Sequence, residues 1–307
     1  MNQETFTLTL DGAAVTAYPG DTLWQVAKRA GETIPHLCFK DAEGYRADGN
    51  CRACMVEIEG ERVLAASCIR MPTEGMTVLT ASERAISARD MVFEMLLADQ
   101  PPPDAAHEPG SLFWDWAGKM GVMESRFPAR ATPVTDASHP AMTVNLDACI
   151  HCTLCVRACR EVQVNDVIGM AGRGAESKIV FDFNDPMGMS TCVACGECVQ
   201  ACPTGALMPA TLVDEHGVGD SVATDKQVDS VCPYCGVGCQ LTYHLKNDEI
   251  VYVEGRNGPS NHNRLCVKGR FGFDYPRHPS RLTTPLIRRE GVAKGLDPDF
   301  DPAQPLT

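Results

Sequence analysis

The chain opens on strict alternation. In Phe6-Thr-Leu-Thr-Leu10 every second residue is apolar, Asp11-Gly12 supplies turn chemistry, and Val15-Thr-Ala-Tyr18 leads back. A period of two on both sides of an Asp-Gly pair predicts a β-hairpin. The period then changes: after Pro19-Gly-Asp-Thr22 halts the strand, Leu23, Trp24, Ala27 and Ala30 suit one helix, with Asp21 or Thr22 as its cap and Gly31 as its stop. Met55-Val-Glu-Ile58 and Met76-Thr-Val-Leu-Thr80 predict two further strands. From Ser82 to Ala98 the apolar Ile86, Met91, Phe93, Met95, Leu96 and Leu97 predict an amphipathic helix capped by Ser82 and ended before Pro101-Pro-Pro103. A short helix at Leu112-Phe-Trp-Asp-Trp116 interrupts the connector that follows, where Trp114 and Trp116 suit packing. Met142 to Leu146 and Lys178 to Phe183 predict strands, and residues 209 to 230 read as a polar linker. Gln240 to Leu245 and Ile250 to Val253 predict a second hairpin, turned by Asn247-Asp248. Short strands mixed with short helices predict an α+β fold of consecutive small domains, at 1–81, 82–140, 141–209 and 225–307.

Composition narrows this picture. With 307 residues, 44% hydrophobic and 22% charged, the chain is an ordinary soluble sequence long enough for two or more domains. Met1-Asn-Gln-Glu-Thr-Phe6 lacks a basic start and an apolar run, and no segment approaches membrane-spanning length, so a cytoplasmic protein is expected. A net charge of -13 argues against nucleic acid and for docking to another protein. Sixteen cysteines are far more than such a chain normally carries. In a reducing compartment they point to metal ligation rather than disulfides.

They fall into four sets of four. The first is Cys38-x12-Cys51-x2-Cys54-x13-Cys68, with Gly44 and Gly49 giving its long loop freedom to wrap. The second and third repeat one motif, since Cys149-x2-Cys152-x2-Cys155-x3-Cys159 matches Cys192-x2-Cys195-x2-Cys198-x3-Cys202, including Val156 with Val199 and Ala158 with Ala201. That is an internal duplication. The fourth is Cys232-x2-Cys235-x3-Cys239-x26-Cys266, followed by Val267-Lys268-Gly269. A structural zinc site needs only four thiolates, but its ligands usually come as two close pairs, and the first set contains one.

Each set carries a resemblance. The first resembles plant-type 2Fe-2S ferredoxins with a lengthened first spacing, as in the large subunits of NADH dehydrogenases and in NAD-linked hydrogenases, which implies a β-grasp domain. The duplicated motif, ending in Cys202-Pro203, resembles bacterial-type twin 4Fe-4S ferredoxins. In that family three thiolates come from a tight loop and the fourth is exchanged between halves. The resemblance therefore implies one cluster on Cys149, Cys152, Cys155 and Cys202, and another on Cys192, Cys195, Cys198 and Cys159. Arg160 stands where the second motif has Pro203, a departure expected to affect geometry more than ligation. The fourth set resembles the first 4Fe-4S segment of bis-pterin molybdenum or tungsten oxidoreductases, and Cys232-Pro-Tyr-Cys-Gly-Val-Gly-Cys239 with Leu265 to Arg289 is most similar to formate dehydrogenases. In that family the lysine matching Lys268 lies between cluster and pterin.

What the resemblance implies is a relay. One 2Fe-2S and three 4Fe-4S clusters would consume every cysteine and leave none for nucleophilic catalysis. Clusters with four thiolates exchange single electrons. Formate electrons would enter from a molybdenum or tungsten bis-pterin guanine dinucleotide centre and leave toward a flavin and NAD-binding, diaphorase-type subunit. The pterin centre is expected only in the remaining catalytic portion, since the sequence stops at Thr307 and the resembled enzymes continue; no catalytic residue is expected here. Related chains often carry a His-and-three-Cys cluster in the connector. Residues 105–140 contain no cysteine, and His107 and His139 are expected to be ordinary residues, His107 in a solvated loop. His151 lies among ligands that already form a complete set, and is expected beside the site. An NADH:quinone oxidoreductase large subunit or an NAD-linked hydrogenase component is the alternative.

Overall fold

The computed structural model describes residues 5–131, 133–213, 224–292 and 303–305. Its architecture is the expected α+β succession. β1 (Phe6–Leu10) and β2 (Ala13–Ala17) pair antiparallel across Asp11-Gly12, where Asp11 sits at φ 47° and Gly12 at 85°. α1 (Leu23–Arg29) starts at Thr22 in a capping box: the threonine oxygen accepts from the Gln25 backbone, and the Gln25 side chain accepts from the Thr22 backbone. β3 (Met55–Ile58), β4 (Ala65–Ala66) and β5 (Thr77–Leu79) complete a five-stranded sheet in the order β2-β1-β5-β3-β4. β1 and β5 run parallel and the other pairs antiparallel, while Leu23, Trp24, Val26 and Ala27 of α1 join Leu8, Val56 and Val78 in one core.

α2 (Glu83–Leu97) is capped by Ser82, as its sequence predicts, but it buries a different face. Ala85, Arg89, Phe93 and Leu97 point inward at spacings of four, whereas Ile86, Met91 and Met95 are exposed. Apolar positions run almost all round this helix, so their pattern does not choose the stripe. Arg89 is tolerated inside because its guanidinium donates to the Thr80 carbonyl at 2.6 Å. α3 (Leu112–Met120) runs a turn beyond the expected segment, to left-handed Gly121. Its Phe113 stacks on Phe93 with ring centroids 5.7 Å apart, and Trp114 and Ala117 pack in the same core.

The connector is not loose. His107, expected in solvent, is buried and lies 2.9 Å from both carboxylate oxygens of Asp147, while the Phe113 amide donates to the Pro203 carbonyl at 2.9 Å. Docking of this segment on the cysteine-rich region excludes the water that composition alone suggested. Trp116 is partly buried in the same core.

In the duplicated region β6 (Met142–Val144) pairs antiparallel with β9 (Leu207–Pro209), tying its two ends together. β7 (Ile168–Ala171) and β8 (Lys178–Phe181) form a hairpin between the motifs. α4 (Leu154–Arg157) and α5 (Glu197–Ala201) follow the two cysteine loops. Of the expected linker, residues 214–223 lie outside the described residues. Its end is instead a strand, β10 (Lys226–Val231), which pairs antiparallel with β11 (Gln240–Lys246). Alternating exposed and partly buried residues gave β10 too little apolar content to be recognised from sequence. β11 and β12 (Glu249–Gly255) form the predicted hairpin, with Asn247 and Asp248 both left-handed, and α6 (Val267–Phe271) packs against β12. Among the described residues no helix is long and apolar enough to cross a membrane.

Phe93→Ala is expected to lower stability by about 3–5 kcal/mol, because it removes one of two stacked, fully buried rings. Chemical denaturation of the two proteins side by side tests this; an unchanged midpoint would mean that the α2–α3 contact contributes little.

Candidate metal centres

The first set is assembled by a loop that must turn sharply. Between Cys38 and Cys54 the backbone is left-handed at Gly44, Gly49 and Arg52. At Gly49 (φ 64°) a Cβ would sit 2.7 Å from Ile69 Cδ1, so glycine lets the loop lie there without strain or displacement of Ile69. Cys54 leads into β3, and Cys68 follows β4, where the Ser67 amide and hydroxyl both donate to the Cys54 carbonyl at 3.1 and 2.8 Å. Cys38, Cys54 and Cys68 are buried and Cys51 is half-buried. Thiol hydrogen bonds from Cys51 and then Cys68 push Cys38 down to about 2, and a bond from Cys68 brings Cys54 to about 7. The same bonds, with burial, push Cys51 and Cys68 up. Four sulfurs within reach of one another favour shared negative charge, the donor chemistry of a metal-sulfur centre.

The second and third sets repeat in backbone geometry as well as in sequence. His151 and Ala194 are left-handed at 54°, and Thr153 and Gly196, the next matched pair, at 60° and 68°. Such turns aim successive amides inward. The amides of His151 and Leu154 accordingly bond the Cys149 and Cys152 sulfurs, and those of Ala194 and Glu197 bond Cys192 and Cys195. Burial dominates and holds all these thiols above their ordinary range, highest at Cys155 and Cys198.

Two cavities sort the cysteines. One is lined by Cys149, Cys152, Cys155 and Cys202, the other by Cys159, Cys192, Cys195 and Cys198. Cys202 thus lines the cavity of the first loop, and Cys159 that of the second. Around Cys159 the chain widens into a π turn over Ala158–Val162, and the Val167 amide bonds the Cys159 sulfur at 3.3 Å. At Cys202 the helix stops before Pro203. His151 does not line either cavity; its ring faces Arg130 at 3.4 Å, and Arg130 also donates to the Cys149 carbonyl.

The fourth set lies at the surface. Cys232 is buried at the end of β10 and its amide donates to the Cys239 carbonyl at 2.8 Å; Cys239 is half-buried, while Cys235 and Cys266 are exposed. Burial first, then the charges of the other three cysteines, raise Cys239. Gly269 packs beside Cys232, where a Cβ would sit 3.6 Å from its sulfur, an ordinary contact. Lys268 is exposed on α6, beside Cys266 in sequence. Among the described residues no three His, Cys, Asp or Glu side chains form a site for a single metal ion.

Buried charges that no local pattern announced join these centres. Arg157 donates to the carbonyls of Cys38 at 2.7 Å and Cys152 at 3.1 Å. Arg270 donates to the carbonyls of Cys195 and Val253, each at 3.2 Å, and lies 3.4 Å from Glu197, whose other oxygen accepts from Tyr45 at 2.8 Å. Charged residues beside ligand cysteines are a weak signal, and only the tertiary structure names their partners.

Residues 3–83 match the 2Fe-2S iron-sulfur cluster binding domain, residues 148–206 the 4Fe-4S dicluster domain, and residues 225–278 the molybdopterin oxidoreductase Fe4S4 domain. An NADH-quinone oxidoreductase subunit of Rhizobium meliloti is 33% identical over 93% of this chain and 33% of that protein. The alpha subunit of an NADPH-Fe(3+) oxidoreductase of Geobacter sulfurreducens is 31% identical over 92% of this chain and 33% of its own length. A Staphylococcus haemolyticus protein provisionally described as a formate dehydrogenase is 27% identical over 94% and 33%. The chain thus spans about a third of the length of these curated relatives. Among solved structures, a chain of an NAD+-reducing NiFe hydrogenase in the H2-reduced state is similar with a TM-score of 0.63 and 30% identity, covering 72% of this chain and 92% of that one. The chain belongs to this family of oxidoreductase iron-sulfur subunits, and it corresponds to the amino-terminal iron-sulfur portion of the longer members.

Proposed function

We propose that this chain is the electron-transfer portion of an NAD-linked formate dehydrogenase alpha subunit. Cys38, Cys51, Cys54 and Cys68 hold a 2Fe-2S cluster. Cys149, Cys152, Cys155 and Cys202 hold one 4Fe-4S cluster, Cys192, Cys195, Cys198 and Cys159 a second, and Cys232, Cys235, Cys239 and Cys266 a third. When bound, such clusters supply one-electron transfer and no open coordination site. The observation that carries the reading is adjacency. Cys38 and Cys152 share one apolar cluster, the two twin cavities share another, and Arg270 spans from the Cys266 helix to the Cys195 carbonyl.

The protein's own work is to exclude water, present amides to sulfur and hold neighbouring sites in register. In this reading the Cys232 segment receives electrons from a molybdenum or tungsten bis-pterin centre carried by the remaining catalytic portion, with Lys268 facing it. The Cys38 domain passes them to a flavin and NAD-binding subunit in the cytoplasm. A second reading, a component of an NADH:quinone oxidoreductase, is favoured by the higher identity to the Rhizobium meliloti relative, 33% against 27% for the formate-dehydrogenase-like one.

Low-temperature paramagnetic resonance of the complete complex separates the two. Formate is expected to reduce the iron-sulfur signals; reduction by NADH but never by formate moves the assignment to the second reading. Metal analysis should find about 14 irons per chain with matching acid-labile sulfide. Zinc without sulfide would remove the redox function altogether.

Ligand exchange has its own test. A Cys149→Ser/Cys202→Ser double variant loses about four irons if the two residues share a cluster, and about eight if each closes its own motif.

A further inference from the structure

The duplication aligns Cys155-Val-Arg157-Ala-Cys159 with Cys198-Val-Gln200-Ala-Cys202, so Arg157 and Gln200 occupy the same place in the two halves. Both reach out of the twin domain. Arg157, 2% exposed, donates to the Cys38 carbonyl of the first domain and to the Cys152 carbonyl of its own half, with its Nε 3.0 Å from Asp48. Gln200 accepts from the Gly255 amide at 3.0 Å, donates to the Gly255 carbonyl at 3.0 Å, and accepts from Arg270.

Arg270, 3% exposed, then does for the second half what Arg157 does for the first. It donates to the carbonyl of Cys195, the residue that matches Cys152. Two further differences between the halves accommodate this borrowed guanidinium. Gly196 stands where the first half has Thr153, and a Cβ there would lie 2.8 Å from Arg270 Cγ. Glu197 stands where the first half has Leu154, and it supplies the counter-charge. Arg270 is itself anchored to the last cysteine, its amide bonding the Cys266 carbonyl at 3.0 Å.

We propose that Arg157 and Arg270 are a pseudosymmetric pair of positioning residues, each raising the reduction potential of one twin-domain cluster and joining that cluster to the flanking one. The inference rests on the cluster assignment above. Reduction adds one negative charge to a cluster, and a guanidinium that keeps its proton stabilises that charge. Because each arginine is buried, solvent screens it little. Its carbonyl contacts reach the ligand of one twin cluster and not the other, so the effect is larger on that cluster. On the far side Arg157 touches the ligand carbonyl of Cys38, and Arg270 begins from the helix of Cys266, so each links a distinct pair of centres.

The test is a redox titration followed by paramagnetic resonance on the cluster-loaded protein in its complex. R157Q, which gives the first half the residue found in the second, is expected to lower the midpoint of the Cys152 cluster by about a tenfold shift in electron partition, about 59 mV for a one-electron couple, and to leave the Cys195 cluster in place. R270Q should do the reverse. Removing the counter-charges should act with the opposite sign: D48N raises the Cys152 cluster and E197Q the Cys195 cluster. A merely structural role predicts no such reversal. The inference is overturned if both clusters move together, if neither moves, or if arginine and acid variants move one potential in the same direction. Should an arginine variant fail to take up iron, the acid variants decide, and the lack of a selective rise overturns the inference. Wild-type protein without iron would count against the cluster assignment instead.

Discussion

Glu197 and Arg270 have almost no access to water, and they meet where the three cysteine-bearing parts of the chain converge. Burying two charges is costly, and attraction alone rarely repays it; every remaining donor and acceptor must also find a partner. Here they do. Arg270 reaches carbonyls in the Cys195 loop and β12 as well as Gln200, and Glu197 takes the Tyr45 hydroxyl from the first domain. Burial works against the charge of Arg270, and burial with the facing carboxylate holds the Tyr45 hydroxyl protonated. Removing either member would strand the other, at about 3–5 kcal/mol. This asymmetry ties the relative placement of three domains to one pair of side chains.

The same logic governs the sulfur sites. Thiolates crowded into an apolar interior are unfavourable until something neutralises them, and burial raises nearly every twin-domain thiol. Left-handed residues at His151, Thr153, Ala194 and Gly196 turn backbone amides toward sulfur and offset part of that penalty without adding charge. Strain at three non-glycine positions is therefore part of the site. Gly196 escapes it for a separate reason, the passage of the Arg270 side chain.

Much of the fold was legible because it depends on neighbours in sequence. Thr22 and Ser82 announced their helices through caps, Asp11-Gly12 and Asn247-Asp248 announced their hairpins, and cysteine spacing announced four sets, because ligands on one loop need fixed separations. What escaped depends on distant partners. The inward face of α2 is chosen by Phe113, which reaches Phe93 only once the connector has folded back. His107 is buried because Asp147 receives it, and β10 is a strand because β11 offers an edge. Arg157 and Arg270 carry no sequence signal of their own. Only packing revealed that their guanidiniums turn inward.

The four sets also differ in what fixes their surroundings. In the first three, buried or half-buried cysteines and protein amides define the dielectric and the hydrogen bonds, so the chain itself supplies most of what tunes them. At the fourth, Cys232 is buried, but Cys235 and Cys266 are exposed, and Lys268 is exposed beside Cys266. Water would level the electrostatics of that site. A surface placed over it would exclude water and strengthen every charge interaction there, including that of Lys268. The exposed end is thus the one whose properties a covering surface can set. The opposite end, with Cys38 locked to Arg157, has its geometry fixed from within.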